Sequence, residues 1–259
     1  MAEHVPVLIA ISSRLDEKQL LETYTDLKTK ISENYQVSSE EVLYIRKSDL
    51  TDDWESELEK VSEILGKAFL NAKTVAHVAL MVPAAFAFGL GVTLSRSQLP
   101  PMVIYHFQSN EYIPVIDLTD NPRKIKDISQ PFEQTNVSFT KGQDTNHCAV
   151  LVQLASHSLK GSVLKYLETV GLNPSVLEIS HKNAGNLQTW DWSKEVAEIY
   201  KAVQEVRKDS YIERFHIFLS SPVSIAFAFG LALGKYDKLT IYQYVPNSPN
   251  IYTAVLSFD

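Results

Sequence analysis

Chemistry in this sequence would have to come from short polar clusters that follow apolar runs. Ser12, Ser13 and Arg14 follow one such run, Lys47 and Ser48 a second, and Pro83 ends a third. The same spacing returns later, with Ser156, His157 and Ser158, then His181, Lys182 and Asn183, then Ser220, Ser221 and Ser224. Hydroxyls and cation-capable side chains beside the opening turns of helices, whose free N–H groups point outward, suit an anion such as phosphate. Each residue also has an ordinary explanation. Serines after strands cap helices, and Arg14, Lys47, His157 and His181 taken singly read as solvent-facing loop residues. Only their convergence in one crevice would make a site of them.

Catalytic motifs are missing. The sequence contains no HExxH, GxSxG, CxxC, Walker A or DFG pattern, and Gly89, Gly91 and Gly230 follow no dinucleotide-binding spacing. Cys148, the single cysteine, lies inside an apolar run, which excludes an internal disulfide or an all-cysteine metal site. No catalytic residue, metal ligand or cofactor is therefore assigned. His77 and His216 fall inside buried strands and read as structural histidines bonded to backbone. The acidic residues read as the solvated outer faces of amphipathic helices. Tyr105 and Phe107, and again Tyr242 and Tyr244, are two apart and share a strand face, so core packing is expected of both pairs.

With 31 acidic residues against 24 basic ones, a formal charge of −7 argues against broad binding to polymeric DNA or RNA or to an anionic membrane. The amino terminus has no basic stretch followed by a long apolar core, and the run Val75 to Val92 is broken by His77, Pro83, Gly89 and Gly91. The sequence thus predicts no signal peptide and no membrane span, and a cytoplasmic protein.

What positions the polar clusters is an internal repeat. HVALMVPAAFAFGLG from His77 matches HIFLSSPVSIAFAFG from His216, sharing Pro83/Pro222, Ala87/Ala226 and Gly91/Gly230. The flanks agree in the same order: VLIAISS with VLVQLAS, Trp54 with Trp192, VIYHF with TIYQY, and NEYIPVIDL with NIYTAVLSF. Each copy reads as strand, amphipathic helix, short strand, second helix, buried strand, small-residue helix and two closing strands. That alternation predicts an α/β protein of two tandem Rossmann-like halves, each a mainly parallel sheet ending in a hairpin. The halves are expected at 1–120 and 147–259, with 121–146 as a connector that carries a strand at VSFT. In such sheets ligands sit beyond the carboxyl ends of the strands, where every cluster named above falls.

From His216 to Phe258 the sequence resembles the carboxyl-terminal signature of SAVED domains, which look like two fused CARF-like halves, and the likeness extends more loosely over nearly the whole chain. The resemblance implies a sensor of a cyclic oligonucleotide, of the tri- or tetra-adenylate type, in anti-phage CBASS or type III CRISPR defence. It also implies an effector, in trans or in a longer parent chain, activated through ligand-induced homo- or hetero-oligomerisation. The alternative it leaves open is a ring nuclease that degrades the messenger. By position, Ser12, Ser13, Arg14, Pro83, Ser156, His157, Ser220, Ser221 and Ser224 would join the binding surface, with Lys235, Tyr244 and Asn247 beside them.

Overall fold

A computed structural model describes residues 2–14, 16–68, 74–95, 99–156, 158–183, 185, 187–188, 191–246, 248 and 250–259. The first half runs β1 (Glu3–Ile11), α1 (Glu17–Ser32), β2 (Val42–Arg46), α2 (Trp54–Ala68), β3 (Thr74–Met81), α3 (Ala84–Leu94), β4 (Met102–Gln108) and β5 (Glu111–Asp117). A short 3-10 turn (Lys124–Lys126) and β6 (Thr135–Thr140) follow. The second half then repeats the order: β7 (Asp144–Gln153), α4 (Lys160–Thr169), β8 (Pro174–His181), α5 (Ser193–Asp209), β9 (Arg214–Ser220), α6 (Val223–Leu233), β10 (Lys238–Tyr244) and β11 (Tyr252–Phe258).

The sheets have strand orders β2-β1-β3-β4-β5 and β11-β10-β9-β7-β8-β6. Apart from the terminal hairpins and β6, neighbouring strands are parallel. The strand expected at VSFT is β6, which joins the second sheet antiparallel to β8. The corresponding edge strand of the first sheet, β2, has no such addition among the described residues.

Burial explains why the halves stay together. Alternate residues of β1, such as Val7 and Ile9, and of β7, such as Val150 and Val152, enter one core that also takes α2, α3, α5 and α6. The opposite strand faces pack under α1 in the first half and α4 in the second, in two smaller clusters. Helices α3 and α6 therefore lie between the two sheets, apolar on nearly every side, as a helix buried all round must be. Phe86, Phe88, Phe227 and Phe229 are fully buried there, each contributing roughly 1.5–3 kcal/mol of transfer free energy.

These two helices touch backbone to backbone. A methyl group on Gly91 would overlap the Phe227 carbonyl oxygen and lie 2.8 Å from Leu231 N; one on Gly230 would overlap the Phe88 carbonyl and lie 2.9 Å from Val92 N. Ser95, at the end of α3, donates to the Leu231 carbonyl at 2.7 Å and approaches Gly234. Gly91 meets Gly230 and Ser95 meets Gly234, so equivalent positions of the repeat face each other. The helices consequently run in the same sense, and their N-termini open toward the same end of the molecule.

The buried histidines are not bonded to backbone, as the sequence suggested, but form side-chain relays. His4 Nδ1 lies 2.9 Å from His77 Nε2, and His77 Nδ1 lies 2.9 Å from the Tyr105 hydroxyl. The second copy repeats this with His147, His216 and Tyr242, again at 2.9 Å for both contacts. Two neutral rings can share one N–H in this arrangement, whereas protonating the central ring would put a charge in the core. Burial, and secondarily the neighbouring histidine, push His77 and His216 down to about 4.

Gly91→Ala is expected to cost about 3 kcal/mol in urea unfolding, because the obstruction is backbone rather than a movable side chain. Gly66→Ala in α2, where a methyl group meets nothing within 4 Å, should stabilise slightly, by up to about 1 kcal/mol. Unfolding measured against pH should show stability falling as pH drops from about 6.5, where the unfolded chain's histidines begin to bind protons, to about 4, where the folded ones do. The loss should be on the order of 3 kcal/mol per central histidine, and His77→Gln should remove its share.

Candidate functional site

The carboxyl ends of the parallel strands form two cavities, and each is completed by a residue from the opposite half. The first, about 470 Å³, is bounded by Ser12, Asp49, Leu50, Met81 and Pro83 of the first half and by Gln243 of β10. The second, about 390 Å³, is bounded by Ser156, Trp192, Ser221 and Pro222 of the second half and by His106 and Gln108 of β4. His106 and Gln243 occupy the same place in VIYHF and TIYQY. The exchange is therefore reciprocal: each late strand reaches across to the pocket of the other copy.

Local structure sets the walls. Pro83 and Pro222 are extended, with φ of −57° and −53°, and their carbonyls accept the first helical bonds from Ala87 and Ala226, both at 3.0 Å. Prolines suit this place because their fixed φ breaks the strand and they need donate no bond. The unpaired N–H groups of the following turns then face the strand ends. In the first cavity Ser13 donates to Asp49 at 2.6 Å, and the Ser12 hydroxyl accepts from the Arg14 backbone at 3.2 Å. In the second, the His106 ring lies 5.0 Å from Trp192, and burial lowers its pKa. Trp192 N donates across the halves to the Val115 carbonyl at 2.7 Å.

Several expected residues meet here: Ser12 and Pro83 in the first cavity, Ser156 and Ser221 in the second. Ser13 and Arg14 stand beside the first through Asp49 and Ser12, and exposed Lys47 follows β2. Ser220 holds the second wall, its carbonyl accepting from Leu154 and Ala155 at 2.8 and 2.9 Å. Ser224 is buried in the first turn of α6. His157 and Asn247 lie outside the described residues.

Others are placed elsewhere. Lys235 is exposed at the amino end of β10, 5.8 Å from the Phe258 ring. Tyr244 alternates away from Gln243 and lies 5.6 Å from Tyr252 on the α4 side. Lys182 is tied to the Phe132 and Glu133 carbonyls at 3.2 and 2.5 Å. His181, read as solvent-facing, is 5% exposed. Its Nδ1 accepts from Asn183 N at 2.9 Å, which leaves the ring proton on Nε2, 3.5 Å from Glu195 Oε1.

The helix carboxylates also depart from the solvated reading, since Glu57, Glu195 and Glu198 are buried. Arg46 pairs with Glu57 and Asp53, and His181 with Glu195 is the second copy's counterpart at the same strand end and helix turn. Burial pushes the Glu195 carboxyl up. Glu198 accepts from the backbone of Glu133, Gln134 and Thr135 at 2.8 to 3.1 Å, fixing the start of β6. A further cavity of about 330 Å³ beside α5 is lined by lysines and glutamates of this seam, where Lys124 pairs with Asp191 outside it at 3.0 Å and Lys194 with Glu133 at 3.5 Å. Its cations are already engaged, and it lies away from the strand ends. Among the described residues, no helix is long and apolar enough to cross a membrane.

Known proteins share this fold. The SAVED family, described as the SMODS-associated and fused to various effectors sensor domain, matches residues 2–118 and 120–258. No curated protein sequence matches the chain. Among solved structures, the Acinetobacter baumannii Cap4 SAVED/CARF-domain containing receptor with the cyclic trinucleotide 3′3′3′-cAAA superposes with a TM-score of 0.61 at 14% identity, over 92% of this chain and 56% of that one. The same receptor with 2′3′3′-cAAA gives 0.61 at 14%, over 82% and 44%. The Moraxella osloensis Cap4 receptor gives 0.53 at 15%, over 93% and 60%. The chain spans about half the length of the solved structures it matches. It belongs to the SAVED family.

Proposed function

We propose that this SAVED chain senses a cyclic oligonucleotide, of the tri- or tetra-adenylate type, held across both halves, and passes the signal to an effector by a change in assembly. The observation that carries the reading is the reciprocal completion of the two cavities by Gln243 and His106. A ring with several phosphates and bases offers repeated groups to repeated pockets, which the packing of the two halves already holds at one relative position. The likeness to receptors solved with cyclic trinucleotides supports the ligand class. Two helix N-termini beside the cavities supply donors for phosphate without a net positive surface.

Ligand binding shifts assembly only if the ring binds the assembled form better. Contacts that a second copy makes to the bound ring would supply that difference. The effector partner, in trans or in a longer parent chain, would read the assembled face.

Thermal melting and size-exclusion chromatography with a panel of cyclic di-, tri- and tetranucleotides test the proposal. One ring at about 100 times its Kd should stabilise the fold by about 2.7 kcal/mol and produce a larger, concentration-dependent species. No shift with any ring would overturn the sensor reading. Linear products on incubation would instead make the chain a ring nuclease.

A further inference from the structure

The repeat supplies its own control for deciding which polar groups serve the fold. Ser221 and Ser224 flank the start of α6, and their hydroxyls are buried without a hydrogen-bond partner among the described residues. Ser224 is 2% exposed, and Ser221 lines the second cavity. At the same places in the first copy stand Val82 and Ala85. Helix α3 opens there with the same proline geometry and no side-chain cap, and α6 uses no side-chain cap either. The turn therefore forms without these hydroxyls. Burying an unpaired hydroxyl costs free energy, and a group bound in the second cavity that accepts from them would offset that cost.

The first cavity differs: its hydroxyls, Ser12 and Ser48, lie on the loops after β1 and β2 and not at the helix start. Ile11, Leu50, Met81 and Val82 give it apolar walls, with the Asp49 carboxylate and the Gln243 amide at its edge. A carboxylate repels phosphate, but with an amide it suits the donor and acceptor edge of a flat, weakly polar ring.

Resting on the cyclic-oligonucleotide reading above, we infer that the two halves divide the ligand: Ser221, Ser224 and the N-terminus of α6 hold a phosphodiester, and the Asp49–Gln243 cavity reads a base. Ser221, on the cavity wall, donates to the phosphate oxygens beside the backbone N–H groups of the opening turn, with Ser224 buried in that turn behind it. Val82 and Ala85 offer the equivalent place on α3 no such donors.

Calorimetric titration of the full chain with 3′3′3′-cAAA and with cyclic trinucleotides of other bases tests the division. Ser221→Ala with Ser224→Ala should weaken every ring that the wild type binds by a similar factor, roughly 10- to 100-fold. The same variant without ligand should melt roughly 2–4 °C higher, since it sheds unpaired buried groups. Ser224→Ala alone, which installs the residue of the first copy, should move both readouts the same way by less. Gln243→Leu and Asp49→Asn should change the order of preference among bases. Unchanged affinity in the double serine variant, a loss confined to one base, or a lower melting temperature would overturn the division while leaving the sensor reading intact. A wild-type chain that binds no ring would overturn both.

Discussion

The contact of Gly91 with Gly230 is the constraint from which the rest of the architecture follows. Two helices can approach until their backbones touch only where neither carries a side chain, and here each glycine lies against the carbonyl of the other helix. That approach sets the spacing of the two sheets, whose inner faces close on the same helix layer. It also fixes the rotation of one half against the other, which brings β4 to the α6 end and β10 to the α3 end. The composite cavities are thus a consequence of packing in the middle of the molecule, remote from the residues that line them.

Polar groups buried around this core show how far the copies have diverged. Both retain a His–His–Tyr relay of the same geometry, so the relay belongs to the half-fold itself. Its donors and acceptors satisfy one another where no backbone group is free, at the expense of acid sensitivity. The charged pairs are less conservative between the copies. Arg46 remains cationic at any relevant pH and holds two carboxylates, whereas His181 only approaches one oxygen of Glu195, at 3.5 Å. Glu198 fastens β6 to the second half, and the aligned residue in α2 is Lys60, which has no carboxylate to offer a strand. The added strand and the glutamate that caps it occur together.

The repeat, the strand and helix order, the hairpins and the strand in the connector were legible in the sequence because each rests on local periodicity or on a short motif present in both copies. The strand-end rule also named Ser12, Pro83, Ser156 and Ser221, which the structure places along the two cavities. The reading of His181 as solvent-facing failed because its burial depends on α5 packing over β8, and Lys235, named through the family resemblance, lies at the amino end of its strand. His106 and Gln243 were missed although their signal was present. Tyr105 and Phe107, like Tyr242 and Tyr244, were read as one face, and the residue between them must then face the other way. What the sequence lacked was the knowledge that this other face meets the opposite half. The histidine relays were hidden for a similar reason, because His4 and His147 come beside His77 and His216 only through strand pairing.

Helices α3 and α6 are nearly all apolar, and equivalent positions of the two copies face each other across their crossing. Such a contact has the geometry of an isologous interface, the same patch on both partners related by a two-fold axis. In a homodimer built this way every substitution would enter both pockets at once. Here the two copies lie in one polypeptide, so Ser224 stands opposite Ala85, and Gln243 opposite His106, without a mirror image. The shared interface and the unlike pockets are therefore compatible in a single chain.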